Sequence, residues 1–336
     1  MGIWYRQFLA YHPVIGWWFV PNLKAMIPHG NRTYLLRTNS LGMRSDREYP
    51  SVASTGRSRI ILLGDSYTAG DGVDNGLRFS DLLEKSHQNL DVLNFGLPGS
   101  GTDQQLLIYE TMTKPFEVDA YVFAPGIPDI LRNEIDKWPM RERNSDKFWY
   151  MPKPYFTLED NSLVLHNRPV PNERIPKEEA SDRKESFTQK MDAKRRAANW
   201  PVWMQKSNFI RKMSLAAVNP YEGYGSENSD SWQLMRAIIV RFLSEVDEKP
   251  VFLIPMPTDH FAENLTEPTY LARFMALQNQ SKRVYVVDIL PHFKRLQPEK
   301  RKQCFQSDGH FTEYGHEIVT QAVSGAIEQY YPDLIR

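Results

Sequence analysis

Short apolar runs alternate along this chain with longer stretches whose apolar residues recur at helical spacing. Arg59-Ile60-Ile61-Leu62-Leu63 is a continuous apolar run of the kind that parallel strands buried on both faces carry. A glycine-containing turn follows, and Leu77, Phe79, Leu82 and Leu83 then mark one face of a helix over residues 77–87. The pattern repeats, with strands predicted at 91–95, 120–124, 251–254 and 284–288. Helices are predicted at 102–113, 230–246, 270–279 and 313–329. Five strands alternating with helices predict an α/β fold, a three-layer α/β/α sandwich around a five-stranded parallel sheet with right-handed crossovers.

Two regions break the rhythm. Residues 1–57 are rich in aromatics, Pro and Asn and read as an irregular segment packed on the core. Residues 134–229 form a long insertion that divides the α/β domain into 58–133 and 230–336. The insertion holds an aromatic patch, Phe148-Trp149-Tyr150-Met151-Pro152-Lys153-Pro154-Tyr155-Phe156, and a charged stretch from Lys177 to Arg196. A segment of this length inside a compact domain suggests a cap or lid, or a small subdomain that shields the sheet.

Composition narrows the function. Forty-one basic and forty-one acidic residues cancel, which gives no electrostatic pull toward nucleic acid or an anionic membrane. Cys304 is the single cysteine, so no internal disulfide can form, and no His/Cys cluster has metal-ligand spacing. Neither a metal nor another cofactor is expected. Gly70-Asp71-Gly72 and Gly99-Ser100-Gly101 fall short of a dinucleotide or phosphate-loop fingerprint. The longest early apolar run, Val14 to Val20, is too short to span a bilayer, and Arg6, His12, Pro13 and Pro21 disrupt a signal-peptide pattern. A cytoplasmic protein without a membrane span is the expectation; oligomeric state is not specified.

The candidate chemistry lies at two junctions. Gly64-Asp65-Ser66 directly follows the first strand, and ligands of open α/β sheets bind beyond the carboxyl ends of strands. A serine hydroxyl needs a base to become a nucleophile, and histidine steadied by a carboxylate is the usual one. Asp308-Gly309-His310 lies just before the last helix and supplies both. His316 falls inside that helix and reads as structural. His260 and His292 follow the fourth and fifth strands without flanking motifs.

These residues resemble the SGNH/GDSL hydrolase superfamily, whose fold is flavodoxin-like. The resemblance implies Ser66 as nucleophile and oxyanion donor, Gly99 in Asn94-Phe95-Gly96-Leu97-Pro98-Gly99 as a second donor, and Asp308 with His310 as the acid–base pair. It implies bracing roles for Asp65 and Asp129. The third family block, Gly-x-Asn-Asp, departs here to Gly126-Ile127-Pro128-Asp129. Proline offers no donor, so Asn133 or Arg132 becomes the candidate substitute. The two-residue spacing of Asp308 and His310, with Arg37-Thr38-Asn39-Ser40-Leu41-Gly42-Met43-Arg44 upstream, resembles a bacterial branch related to polysaccharide O-acetyltransferases. The implied activity is hydrolysis of a small O-acyl ester on a carbohydrate or glycan precursor. An O-acyltransferase using the same residues and a weakly active or inactive glycan-binding protein are the alternatives.

Overall fold

The computed structural model describes residues 4–6, 8–30, 32–141, 148–176, 207–246, 248–279 and 282–336. The amino-terminal segment is not irregular. β1 (Trp4–Arg6), β2 (Leu9–His12) and β3 (Gly16–Phe19) form an antiparallel meander, and β4 (Lys24–His29) with β5 (Arg32–Arg37) forms a hairpin. All four residues of β3 are buried, so the alternation that announces a half-buried strand is missing. In β4, Pro28 and the exposed Met26 blur the pattern further.

The central sheet contains β6 (Ser58–Gly64), β7 (Leu90–Asn94) and β8 (Ala120–Ala124), all nearly wholly buried. The described part of the insertion adds β9 (Lys137–Arg141), β10 (Phe148–Pro152), β11 (Tyr155–Glu159), β12 (Ser162–His166) and β13 (Ile175–Pro176). These make one three-stranded antiparallel sheet and one hairpin. The aromatic patch is therefore mostly strand, while residues 177–206, which include the whole charged stretch, lie outside the described residues. A helix, Asn208–Val218, ends the insertion. β14 (Val251–Leu253) and β15 (Val284–Val286) complete the central sheet.

The five strands run parallel in the order β15-β14-β8-β6-β7, with Ile61 facing Leu93 on one side and Tyr121 on the other. The order decides where the helices go. The chain steps one way from β6 to β7 and the opposite way from β7 to β8. Right-handed crossovers place the two connecting helices on opposite faces. Phe79–Ser86 packs with Glu313–Tyr330, and Thr102–Ile108 packs with Asp230–Glu245, giving the α/β/α layers. The reversal also opens a crevice between the carboxyl ends of β6 and β8, the topological switch point where ligands of such sheets bind.

One buried charge ties the insertion to this framework. Lys153, just after β10, is wholly buried, and its ammonium closes on Asp103, which is equally buried at the start of the Thr102–Ile108 helix. The ammonium also donates to the carbonyls of Arg132 and Ile135, 3.1 and 3.3 Å away. Burial drives the Asp103 carboxyl up, against the pull of the lysine. Breaking such a pair strands one charge in the interior. Lys153→Met is expected to cost about 3–5 kcal/mol in urea unfolding. Asp103→Asn combined with Lys153→Met is expected to recover most of that loss, because no uncompensated charge remains.

Candidate active site

β6 ends at Gly64, and Ser66 begins a one-turn helix, Ser66–Ala69. Asp65 caps that turn by accepting from the Tyr67 amide at 2.9 Å. This fixes Ser66 at the switch-point crevice, with 4% of its surface exposed. The loop before the final helix supplies the partner: His310 Nε2 lies 2.8 Å from Ser66 Oγ. The other ring nitrogen, Nδ1, lies 2.9 Å from Asp308 Oδ2. Asp308 Oδ1 also accepts from the His310 backbone N–H at 3.2 Å. Ser66, from the first strand unit, and the Asp308–His310 pair, before the last helix, thus form one polar chain.

The turn itself is held from several sides. Gln306 donates its backbone N–H to the His310 carbonyl at 2.7 Å, and its side-chain amide donates to the Asp71 and Phe311 carbonyls. Tyr67 donates its hydroxyl to the Gly309 carbonyl at 3.0 Å, and its ring packs against His310 at 5.2 Å between centroids. Burial, then the neighbouring carboxylates, push the Tyr67 phenol well above its usual range, so it remains an O–H donor. A second imidazole completes the cluster: His29 Nε2 lies 2.8 Å from the same Asp308 oxygen that meets His310. Both imidazole contacts are bent rather than in line with the N–H. Partial shielding of Asp308 from water raises its carboxyl, but the contacts from His29 and His310 outweigh this and hold it far below the ordinary carboxylate range. His29, Asp308 and His310 also form the one group among the described residues whose donor atoms could converge on a metal ion.

The neighbouring loops meet on Arg132. Its Nη1 lies 2.6 Å from Asp65 Oδ2 and 2.6 Å from Asp129 Oδ1, and it donates to the Ser100 carbonyl at 3.2 Å. Both carboxylates are wholly buried. Asp129 further accepts from the Gly126 amide and from Gln105 Nε2. Gly126 must be glycine, because a Cβ there would sit 2.4 Å from Asp65 Oδ2. Gly99 turns with φ +78°, a conformation that glycine adopts readily. It lies against the Trp138 indole of β9, over which the Arg132 guanidinium also stacks.

The remaining sequence candidates fall elsewhere. Asn133 is wholly buried; its amide donates to Thr102 Oγ1 at 2.7 Å, and its carbonyl accepts from the Asp103 amide at 3.3 Å. Its polar atoms are engaged at the loop junction at the start of the Thr102–Ile108 helix. His316 is buried and accepts from the Phe79 amide at 3.2 Å, and burial drops its imidazole to about 3. His260 contacts the Tyr221 hydroxyl. Cys304 is buried, and burial pushes its thiol up to about 12. The sequence reading missed Tyr67 and His29. Tyr67 could have been sought as the residue after Ser66, whereas His29 carries no local motif.

No protein-family model and no curated protein matches the chain. Solved structures similar to it include a member of the lipolytic G-D-S-L family from Veillonella parvula, at 13% identity and TM-score 0.41, covering 82% of this chain and 98% of that one. A lipase/acylhydrolase from Enterococcus faecalis is similar at 14% identity and TM-score 0.39, covering 81% and 96%. Esterase EstA from Pseudoalteromonas is similar at 10% identity and TM-score 0.43, covering 82% and 99%.

The Arg132 cluster generates a pH-dependent expectation. Burial, then repulsion from Asp65, push the Asp129 carboxyl well above the ordinary range, and Arg132 pulls it back. An acid whose folded pKa exceeds its unfolded value binds its proton more tightly when folded. Its contribution to stability therefore falls as pH rises through and above the ordinary carboxylate range. Removing the cation accentuates this. Arg132→Met is expected to cost about 3–5 kcal/mol at pH 7 and distinctly less at pH 5, measured by urea unfolding at both values. Equal losses at the two pH values would place the cost in packing instead of charge.

Proposed function

We propose that this chain is a serine-dependent acyl ester hydrolase of the SGNH/GDSL type, acting through Ser66, His310 and Asp308. The observation that carries the reading is the continuous polar chain, 2.8 Å from Ser66 Oγ to His310 Nε2 and 2.9 Å from His310 Nδ1 to Asp308. Both distances lie within hydrogen-bond reach for a nucleophile and its base. The location at the switch point of the parallel sheet supports the same reading.

In this mechanism, neutral His310 takes the Ser66 proton on Nε2 as Oγ attacks the ester carbonyl. Asp308 holds the imidazole orientation and steadies the imidazolium that forms. The backbone N–H groups of Ser66 and Gly99 receive the developing oxyanion. The tetrahedral intermediate expels the alcohol, which takes the proton from His310, and leaves an acyl-serine. Water then takes the place of the departed alcohol and gives a proton to His310 as it attacks the acyl carbon; the acyl–Oγ bond breaks, Ser66 Oγ takes that proton back from His310, and the acid is released. Pro128 supplies no side-chain donor. Arg132 reaches from Asp65, beside Ser66, to Ser100, beside Gly99, and so fixes the spacing of the two backbone donors.

The substrate class we propose is a small O-acyl ester of a carbohydrate or glycan precursor, which rests on the resemblance of the Asp308–His310 spacing. A transferase would use the same acyl-serine and replace water with an acceptor hydroxyl.

Intact-mass labelling with a fluorophosphonate tests the core of the reading. Wild type is expected to gain one adduct that maps to Ser66, and Ser66→Ala none. An unlabelled, folded wild type beside a labelled control hydrolase would overturn it and favour a glycan-binding protein. Acyl-donor consumption that rises with added sugar, without matching release of free acid, would make the enzyme a transferase.

A further inference from the structure

Asp308 is an exposed acid in a position where exposure is a liability. Its side chain is 44% accessible, and the carboxylate that serves a serine–histidine pair is ordinarily buried, where its contacts are few and fixed. A hydrated carboxylate exchanges water and rotates, and its hold on an imidazole weakens in high dielectric.

His29 counters this from the other end of the chain. It stands at the end of β4, with 17% of its side chain exposed, and places Nε2 2.8 Å from Asp308 Oδ2. Its ring meets Tyr34 edge-on at 6.0 Å and His310 edge-on at 5.3 Å. The hairpin that presents it is fastened to both halves of the site. On the nucleophile side, the Leu35 amide donates to Asp74 at 2.6 Å, and the Arg44 guanidinium, stacked over Tyr34, donates to the Ala69 and Gly70 carbonyls. On the base side, Arg32 pairs with Glu313 at the start of the final helix.

We propose that His29 is a positioning residue, which holds the exposed Asp308 carboxylate in place so that it orients His310 toward Ser66. This rests on the acyl-serine reading above. The reaction does not pass through His29 itself. The His310 backbone N–H holds Oδ1; at Oδ2 the His29 ring draws on the carboxylate from one side and the His310 ring from the other, so His29 secures the rotation of the acid and sets the share of its charge that His310 feels. The other titratable groups facing this cluster are Tyr34 from β5, Tyr67 from the nucleophile turn, His316 and Glu313 from the final helix, and Asp259. Asp259 lies 3.2 Å from where a Gly309 Cβ would be and is paired with Arg211.

The test is the second-order rate of fluorophosphonate labelling at Ser66, followed from pH 5 to 9 in wild type, His29→Phe and His29→Gln. His29→Phe is expected to slow labelling roughly 10- to 100-fold, the scale on which small misplacements of catalytic groups act. It should also move the acid limb of the profile to higher pH, since the undivided Asp308 charge then favours the imidazolium. His29→Gln keeps an N–H donor and is expected to recover most of the rate and return the limb toward wild type. Labelling of His29→Phe within twofold of wild type, with an unmoved limb, overturns the inference and leaves the acyl-serine reading standing. Equal losses in both variants, tracking lower thermal midpoints, also overturn it, by assigning His29 a merely structural role. A wild type that does not label overturns the acyl-serine reading and this inference with it.

Discussion

The contact on which the site geometry depends is a guanidinium closed between two buried carboxylates. Asp65 and Asp129 leave different strands of the sheet, and neither charge could be buried alone at tolerable cost. Arg132 resolves both and then reaches the Ser100 carbonyl, so three loops that meet at the switch point are drawn to one point. An arginine suits this because its planar fork presents several donors at fixed angles. A lysine at the same place would supply a point charge and lose the geometry. Burial, and after it the second carboxylate of a cluster that holds two acids against one cation, raises the Asp129 carboxyl despite its partner.

The amino-terminal strands serve that same scaffold. Trp17 donates its indole N–H to the Pro98 carbonyl at 2.9 Å, immediately before Gly99. Gln104 donates to the Ile15 carbonyl at 2.7 Å. The indole of Trp17 is wholly buried, so this hydrogen bond stands in a dry environment where losing it would leave a costly orphan donor. The segment that packs on the core therefore also sets the loop that carries the second proposed oxyanion donor. Trp138, from the insertion, closes the other side of Gly99.

Much of this arrangement was legible in the sequence, and the reason is physical. Strands buried on both faces must be continuously apolar, and β6, β7 and β8 read that way. Ser66, Asp308 and His310 stand at strand and helix junctions, where a polar residue beside glycine stands out against its surroundings. The first 57 residues were not legible as strands. β3 is buried throughout, so period-two alternation vanishes, and β4 carries a proline. Asn133 was a reasonable donor from its position after Asp129. Which way a side chain turns at the end of a one-turn helix is set by the packing of the Thr102–Ile108 helix against it, and local sequence does not encode that. His29 lay beyond reach for the same reason, since its meaning depends wholly on a contact made across the chain.

That contact changes how the site is understood as a unit. The His310 turn is rigid through its backbone: Gln306, Gly309 and Tyr67 all bond to main-chain atoms of the 306–311 segment. Within the turn, the His310 backbone N–H holds the Asp308 carboxylate at Oδ1 and the His310 ring meets Oδ2. The β4–β5 hairpin adds a hold on Oδ2 from outside the turn, through His29. Because the hairpin is also bonded to the segment that follows Ser66, the same element registers the nucleophile and the acid against each other. The spacing between Ser66 Oγ and the Asp308 carboxylate is thus governed by an element that precedes the α/β domain in the chain. A disturbance of its packing would reach the imidazole from both sides at once, which makes the hairpin an integral part of the site and not a covering laid over it.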